Sequence, residues 1–288
     1  SSMQIAFPTT SMMVGDANNV YRVSINGRTY NVFSKTFLGL GGDDARKFMR
    51  SYNYNNATPS YTYTGLDCFG SNANSSNTKE DSFVALFNNA SIFPAVSTPG
   101  AGNPTGVTWS TVIPNTASPL VMSGTGNYNL RTCANKYSNV TQAVIGLPRN
   151  NYGTNALGSA ASYADLVSKV GKSNSPFVGL DGFYYTARDL GLVSSGQLKS
   201  NFSRTQFLSA LSGTCPDGGG GPAGTNLFDV GVCPNAAYMS SFLWQYSGTG
   251  GLFTSGTGAA FEGVVPSDVN DAAVLTWTRG YLLLKYAN

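Results

Sequence analysis

The dipeptide Asn26-Gly27 restricts how this chain can fold more than any other short segment. It separates two runs rich in β-branched and aromatic residues, VYRVSI and RTYNVFSKTF. Both central positions of a two-residue hairpin turn need positive φ, which Asn and Gly tolerate best. The opening stretch, SSMQIAF, alternates polar and apolar residues as a half-buried strand does. The N-terminal region is therefore predicted to be a meander of three strands.

Helical patterns separated by short strand-like runs follow the hairpin. One helix is predicted in DDARKFMRSY with Asp43 or Asp44 as N-cap, a second in SYADLVSKV stopped by Gly171, and a third in NAAYMSSFLWQY capped by Asn235. Strands are predicted in SPFVGL and FEGVV, and a last helix in NDAAVLTWTRGYLLLKYA. Residues 51–130, rich in Tyr, Asn, Ser and Thr, are predicted to form long loops with some strands.

A further helix start is marked by two local signals. Ser203 and Gln206 have the spacing of a capping box, and Phe202 and Phe207 have the spacing of a hydrophobic staple. Strands come first in the chain and are followed by alternating helices and strands. This order predicts an α/β layer fold.

The composition excludes several classes of function. The chain has no histidine, which removes the commonest general base, the Ser-His and Cys-His nucleophile pairs and most zinc sites. Catalysis would have to use carboxylates, hydroxyls, backbone amides or a hard cation. The net charge of +3 is too small and dispersed to indicate a nucleic acid or an acidic membrane surface as partner. No apolar stretch is long enough to predict a membrane segment.

The cysteines and the low charge indicate where the protein works. Four cysteines without a CxxC pair predict two disulfides in an oxidising compartment, with three pairings possible and Cys68–Cys133 with Cys215–Cys233 the most local. The second bond would close a loop containing PDGGGGPAG, interpreted as a floppy linker. Charged residues are only 11%, against about a quarter in typical soluble domains. The protein is therefore predicted to be secreted or lumenal, and Ser1 is interpreted as a processing boundary.

Sites for N-glycosylation are permitted by this localisation but are not demanded by it. About as many N-x-S/T sequons are expected by chance in a chain so rich in Asn, Ser and Thr. The five candidates are Asn56, Asn74, Asn89, Asn139 and Asn201.

Five segments occur in an order that resembles the second half of the apyrases, the nucleoside triphosphate diphosphohydrolase family. They are SSMQIAF, SKTFLGLGGDDARKFM, FVGLDGFYYTARDL, CPNAAYMSSFLWQY and VNDAAVLTWTRGYLLL. The fourth apyrase signature has the form D-x-G-G-A-S-x-Q-I-x-F. Its tail is matched here, while its Asp and glycines would lie just before Ser1; the matching residues are Ser2, Gln4, Ile5 and Phe7.

Two more family motifs are matched. The run F-L-G-x-G-x-x-x-A-R corresponds to residues 37–46, and the W-x-x-G-x-x-L of the fifth signature to Trp277, Gly280 and Leu283. The resemblance implies an actin-like, ribonuclease H-like lobe with a mixed sheet flanked by helices and nucleotide in a cleft. Residues 1–288 would form the C-terminal lobe, with 51–130 as a loop-rich insertion. The N-terminal lobe would be absent from this chain, as a separate chain, a removed piece or a further segment of the same protein.

The resemblance also implies particular site residues. Ser2 and Gln4 would contact phosphate and the water shell of Ca²⁺ or Mg²⁺, although two polar residues on an exposed strand face would look the same. Tyr185 would stack on the base and Gly182 would let it approach; the alternative is a half-buried core tyrosine. The family's second stacking group is commonly an Arg shortly before the last Cys. NLFDVGVC has none, and Phe228 is the nearest planar side chain.

Two functions are compatible with these residues. The first is metal-dependent hydrolysis of nucleoside tri- and diphosphates by direct water attack. The catalytic Glu would then come from an N-terminal half, as the resemblance implies. The second is a non-catalytic extracellular subunit that keeps the fold and uses a free strand edge to assemble, for example into a filament. The low charge and the missing Arg favour the second function.

Overall fold

The computed structural model is a mixed α/β protein with two small three-stranded sheets flanked by helices. Several expectations fall on residues that it does not describe: Asn56, Asn89, the last predicted helix with Trp277, Gly280 and Leu283, and most of residues 51–130. The described residues are 2–10, 12, 15–25, 27–52, 62–63, 66–74, 76–78, 121–122, 125–146, 150–154, 157–159, 161–193, 200–244, 251–253 and 259–266.

The first sheet contains the predicted hairpin. Strands β2 (Val20–Ile25) and β3 (Arg28–Leu38) pair antiparallel across the two-residue turn, where Gly27 has φ 75°. Strand β1 (Ser2–Pro8) pairs with β3 and not with β2, so the order is β1-β3-β2 and the predicted meander is wrong. β3 is longer than either partner. Its first half pairs with β2 and its second half with β1, which places it in the centre.

The inner face of the first sheet contributes to the core. β1 alternates as predicted, with Met3, Ile5 and Phe7 buried and the intervening residues exposed. The ring centroid of Phe7 lies 5.1 Å from that of Phe33 on β3 and 5.8 Å from that of Phe177 in the second sheet. Aromatic packing of this kind therefore connects the two sheets.

The second sheet contains three short strands in the order β6-β8-β7. β6 (Pro176–Gly179) runs parallel to β8 (Ala260–Val264), and β7 (Ser200–Asn201) runs antiparallel to it. The strands predicted in SPFVGL and FEGVV are confirmed. A separate parallel pair is formed by β4 (Thr62–Tyr63) and β5 (Val121–Met122).

Seven α-helices are described. They are α1 (Gly42–Tyr52), α2 (Leu130–Ile145), α3 (Tyr163–Lys172), α4 (Gly182–Asp189), α5 (Arg204–Thr214), α6 (Leu227–Val230) and α7 (Val232–Trp244). α7 packs against α1, α2, α4, α5 and α6. Nearly all its side chains are buried, which explains why its sequence is apolar all round instead of amphipathic.

Three helix ends differ from the prediction. Asp43 and Asp44 lie in the first turn of α1, where the helix dipole favours acidic side chains, and not at the N-cap. α3 continues through Gly171 and ends at Lys172, with Ser173 as its C-cap. Asn235 lies inside α7, where its N–H donates to the carbonyl oxygen of Gly231.

The predicted start of α5 is confirmed. The Ser203 N–H donates to Gln206 Oε1 at 2.8 Å, and the Gln206 N–H donates to Ser203 Oγ at 3.2 Å. The rings of Phe202 and Phe207 stack with centroids 5.9 Å apart. These contacts are local in sequence, which is why they could be predicted.

The disulfides are Cys68–Cys133 and Cys215–Cys233, the pairing predicted as most local. The glycine-rich segment, residues 217–224, is not a floppy linker. Its Gly219 carbonyl accepts from the N–H of Ser71 at 3.0 Å, and its Gly218 N–H donates to the carbonyl of Tyr128 at 2.7 Å. A Cβ on Gly70 would lie 2.2 Å from the nitrogen of Gly221, so only glycines permit this close approach.

Two disulfides are typical of proteins in oxidising compartments. Within the described residues, none of the helices combines the length and the apolar character needed to cross a membrane.

Candidate functional site

Ser2 and Gln4 belong to a polar cluster on the exposed face of the first sheet. Gln4 lies opposite Thr36 on β3, and its Nε2 donates to Ser34 Oγ at 2.9 Å. This bond uses the amide N–H, so Oε1 can still accept from a water or another donor. The four side chains of this cluster, Ser2, Gln4, Ser34 and Thr36, carry no charge. Ser2, Gln4 and Thr36 are exposed and can donate to phosphate oxygens or accept from metal-bound water, whereas Ser34 is only 6% exposed.

The only lysine in β3 does not belong to this cluster. Lys35 is next to Thr36 in β3, and successive strand residues point to opposite faces. Its Nζ donates to the carbonyl oxygen of Asn151 at 3.0 Å, and partial burial lowers the pKa of its ammonium group. Lys35 therefore does not contribute its positive charge to the polar cluster.

Gly182 and Tyr185 lie at the junction between β6 and α4, beyond the carboxyl end of the strand. The residue before the helix, Asp181, has φ 51° and ψ −113°, a backbone conformation that non-glycine residues rarely adopt. A Cβ on Gly182 would meet nothing within 4 Å, so space is open beside it. Gly179, in contrast, allows α4 to approach β6, because a Cβ there would lie 2.6 Å from Cβ of Phe183.

Tyr185 is half-buried and makes aromatic contacts on its own helix. The guanidinium carbon of Arg188 lies 4.9 Å from the centroid of its ring, a cation–π arrangement. The ring of Tyr184 stands edge-on to that of Tyr185 at 5.6 Å. Arg188 also bonds Asp189 Oδ1 through Nε at 3.1 Å and Nη2 at 3.0 Å. Arg188 therefore lies over one face of the Tyr185 ring, and the pair is named here the Tyr185–Arg188 platform.

The contact of Arg188 with Tyr185 was not predicted from the sequence. The family resemblance directed attention to the segment before Cys233, where no Arg occurs. The signal that could have found Arg188 is its position three residues after Tyr185, because residues at this spacing are neighbours on a helix surface.

Phe228 lies on the short helix α6 with 82% of its side chain exposed. The helix is capped by Asn226, whose Oδ1 accepts from the N–H groups of Phe228 at 2.8 Å and Asp229 at 3.2 Å. Both α6 and α4 pack against α7. The helices that carry Phe228 and Tyr185 therefore both contact α7.

Among the described residues, no group of three or more Cys, Asp or Glu side chains could hold a metal ion. Hydroxyl and amide oxygens are nevertheless suitable partners for the water shell of Mg²⁺ or Ca²⁺. The polar cluster itself contains no carboxylate.

Three buried tyrosines have raised pKa values and serve the structure. Burial raises the pKa of Tyr238, Tyr163 and Tyr152; the negative charges of Asp165 and Asp16 add to the effect at Tyr152. Their hydroxyls donate to the backbone carbonyls of Leu40 at 2.7 Å, Phe242 at 3.2 Å and Ser162 at 2.5 Å, respectively. Protonated tyrosines of this kind act as structural donors and not as general bases.

A buried ion pair lies against the inner face of the first sheet. Asp16, in the short 3-10 helix Asp16–Asn19, is fully buried, and it pairs with Lys169 of α3, which is 5% exposed. Lys169 Nζ also lies 5.1 Å from the centroid of the Phe33 ring. The pair joins residues that are 153 positions apart. This separation explains why local patterns did not predict it.

Comparisons with known proteins give similarities of structure and none of sequence. No family model matches the sequence, and no curated protein matches it. The chain is similar to a crystal structure of nucleoside triphosphate hydrolases from Neospora caninum, with a TM-score of 0.48 and 13% sequence identity over 99% of this chain. It spans about half (55%) of the length of that protein's chain. A similarity of this degree does not establish a function for this chain, so a proposal for its function has to rest on the chain's own residues.

Proposed function

We propose that this chain is the nucleotide-binding C-terminal lobe of an apyrase-type phosphohydrolase with an actin-like fold, acting on nucleoside tri- and diphosphates. The order of the five sequence motifs supports this proposal. The observation that carries it is the position of Tyr185, half-buried beside the open space at Gly182 and just beyond the carboxyl end of β6. Ligands of open α/β sheets bind in the crevice beyond the carboxyl ends of strands.

The base is assigned to the Tyr185–Arg188 platform. Stacking on an aromatic ring contributes about 1–3 kcal/mol per base and requires no particular base. The exposed guanidinium of Arg188 can move from the ring and cover the second face of an inserted base. Arg188 thus replaces the Arg that the segment before Cys233 lacks. Phe228 is the other candidate for this second planar group.

The phosphates and a hydrated Ca²⁺ or Mg²⁺ are assigned to the polar cluster. Ser2 would donate to a phosphate oxygen, and Gln4 Oε1 would hold the cation through one of its waters. The charge on the transferred phosphoryl group would then be neutralised by the cation. The carboxylate that activates water is assigned to an N-terminal half of the enzyme, as the family resemblance implies. Catalysis then requires both halves, whereas base binding can be measured on this chain.

Binding of ADP with Ca²⁺ or Mg²⁺ to the full chain, measured by calorimetry, tests the base site. Tyr185→Ala should weaken binding by about 5- to 150-fold, since a lost stacking contact costs about 1–3 kcal/mol, while Tyr185→Phe should keep the affinity. Tyr21→Ala is the matched control, because Tyr21 is 44% exposed on β2. Equal affinity of the Tyr185→Ala and Tyr21→Ala variants would refute the base site.

Two further variants identify the second planar group. If Arg188 covers the base, Arg188→Ala should weaken ADP binding and Phe228→Ala should not. The opposite result would transfer this role to Phe228. In an enzyme assembled from this chain and its N-terminal half, Gln4→Ala should reduce the release of phosphate from the nucleotide. Pro8→Ala, at an exposed position of the same strand, should not.

The assembly function is a second candidate, favoured by one observation. Within the described residues, β1 pairs only with β3, so it is an edge strand of the first sheet. Such an edge can accept a strand from another chain. Light scattering of the purified chain tests this: assemblies that Gln4→Pro or Ile5→Pro dissolves would favour it. A monomer at all concentrations, together with ADP binding, would favour the enzyme.

A further inference from the structure

Three N-glycosylation sequons have their asparagine among the described residues, and their surroundings differ. Asn139 lies in the middle of α2 and is half-buried. The next two residues of its sequon, Val140 and Thr141, are each 1% exposed. Asn139 and the rest of its sequon are therefore held in a rigid helix and partly covered. This makes Asn139 a less favourable site for a glycan than an exposed, extended segment.

Asn74 is exposed, but both its side chain and its backbone are fixed in a turn. Its Oδ1 accepts from the N–H of Ser76 at 2.8 Å, and its own N–H donates to Asn77 Oδ1 at 2.8 Å. Asn77 in turn donates from Nδ2 to the carbonyl oxygen of Gly224 at 3.1 Å. The turn therefore belongs to the contact between this region and the glycine-rich segment.

Asn201 is in an extended segment that separates a buried anchor from an exposed acceptor. It is the last residue of β7 and is exposed, as is Ser203, the third residue of its sequon. Phe202 between them is 5% exposed, and its ring packs on Phe207 and Phe261, each with centroids 5.9 Å away. Alternation along an extended chain thus fixes Asn201 and Ser203 on the side that faces solvent.

The position of Asn201 in the sheet adds a physical reason for a bulky group. β7 is the last strand in the order β6-β8-β7, so it is an edge of the second sheet among the described strands. Asn201 pairs with Gly263 of β8, which has no side chain to compete for space. Proteins protect such edges from strand addition by covering them. A glycan here would cover the edge without displacing any core side chain.

We propose that Asn201 carries an N-linked oligosaccharide. The donor is an oligosaccharide attached to a polyprenyl diphosphate. The bond from Asn201 Nδ2 to C1 of the first sugar forms, the bond from C1 to the diphosphate oxygen breaks, and the amide nitrogen loses one proton. The polyprenyl diphosphate leaves, and nothing is oxidised or reduced. This inference is independent of the nucleotide site.

The test uses the full chain secreted from eukaryotic cells. After treatment with an amidase that converts glycosylated Asn to Asp, mass spectrometry of peptides should show Asp at position 201 and Asn at position 139. Asn201→Gln should remove the corresponding gel-mobility shift, and Asn139→Gln should not. Ser203→Thr keeps both the sequon and the helix cap, and should keep the glycan.

The outcome is decided on the unsubstituted protein, so a variant that fails to fold does not obscure it. Secreted chain with unmodified Asn201 overturns the proposal, as does a glycan found only at Asn74. A glycan at both Asn201 and Asn74 supports it, because Asn74 is also exposed. Occupancy of Asn139 in folded, secreted protein would contradict the burial argument as a whole.

Discussion

At the scale of single residues, Asn150 shows how one buried side chain joins elements that are distant in sequence. It is completely buried. Its Oδ1 accepts from the N–H of Leu38 at 2.9 Å, and its Nδ2 donates to the carbonyls of Leu38 at 3.0 Å and Val144 at 2.7 Å. The amide therefore completes the end of β3 as a neighbouring strand would, and it ties this end to the end of α2.

Replacing Asn150 should be costly. Asn150→Ala leaves buried backbone groups without partners, so we expect the free energy of unfolding to fall by about 1–3 kcal/mol. Urea unfolding followed by circular dichroism measures the change. Asn18→Ala, at an exposed position, is the matched control and should have little effect. Equal unfolding midpoints for the two variants would show that the Asn150 bonds contribute nothing net.

At the scale of elements, local signals were sufficient where the determining contacts are local. The hairpin around Gly27 and the capping box of α5 depend on residues within a few positions of one another, and both were predicted correctly. The order of β1 and β2 around β3 was not, since it depends on pairing across a loop. The contact of Arg188 with Tyr185 was not predicted either. It depends on the directions of two side chains on the surface of α4.

The junction of β6 and α4 allows stability and binding to be separated with two glycines. Gly179→Ala would push Cβ to 2.6 Å from Phe183 Cβ, and overpacking of this kind costs about 1–3 kcal/mol. Gly182→Ala meets no atom within 4 Å and should leave stability almost unchanged. If a base occupies the space beside Gly182, however, the added methyl group should weaken ADP binding.

Thermal unfolding and ADP calorimetry on the same two variants provide the check. A Gly182→Ala variant that is as stable as the parent and binds ADP equally well would show that the base does not approach this residue. A Gly179→Ala variant with unchanged melting temperature would show that the helix can move away from the strand at no cost.

At the scale of the whole molecule, five other helices and the buried Tyr137 and Tyr163 pack against α7. Tyr238 is on α7, its ring centroid lies 5.1 Å from that of Tyr137, and Tyr163 donates to the α7 residue Phe242. An ionised tyrosine needs water around its phenolate oxygen, and these buried positions do not provide it. Burial therefore couples their protonation to folding.

This coupling predicts loss of stability in alkali. The folded-state pKa values of Tyr238, Tyr163 and Tyr152 lie above the ordinary value near 10. Their contribution is complete below pH 10 and declines above it, because the unfolded chain then releases protons that the folded chain retains. Urea unfolding at increasing pH should show this decline, and Tyr238→Phe should make it shallower. A pH-independent midpoint across this range would contradict the coupling.

The contact between residues 70–73 and the glycine-rich segment has a consequence for how the chain tolerates change in length. The N–H of Gly126 donates to the carbonyl oxygen of Ala73 at 3.0 Å, and a Cβ on Gly126 would lie 2.0 Å from the carbonyl oxygen of Gly70. Ala73 and Gly126, which are far apart in the sequence, are thus held side by side. This contact and the glycine-rich segment against it can therefore keep their packing when the length of the chain between residues 79 and 120 changes.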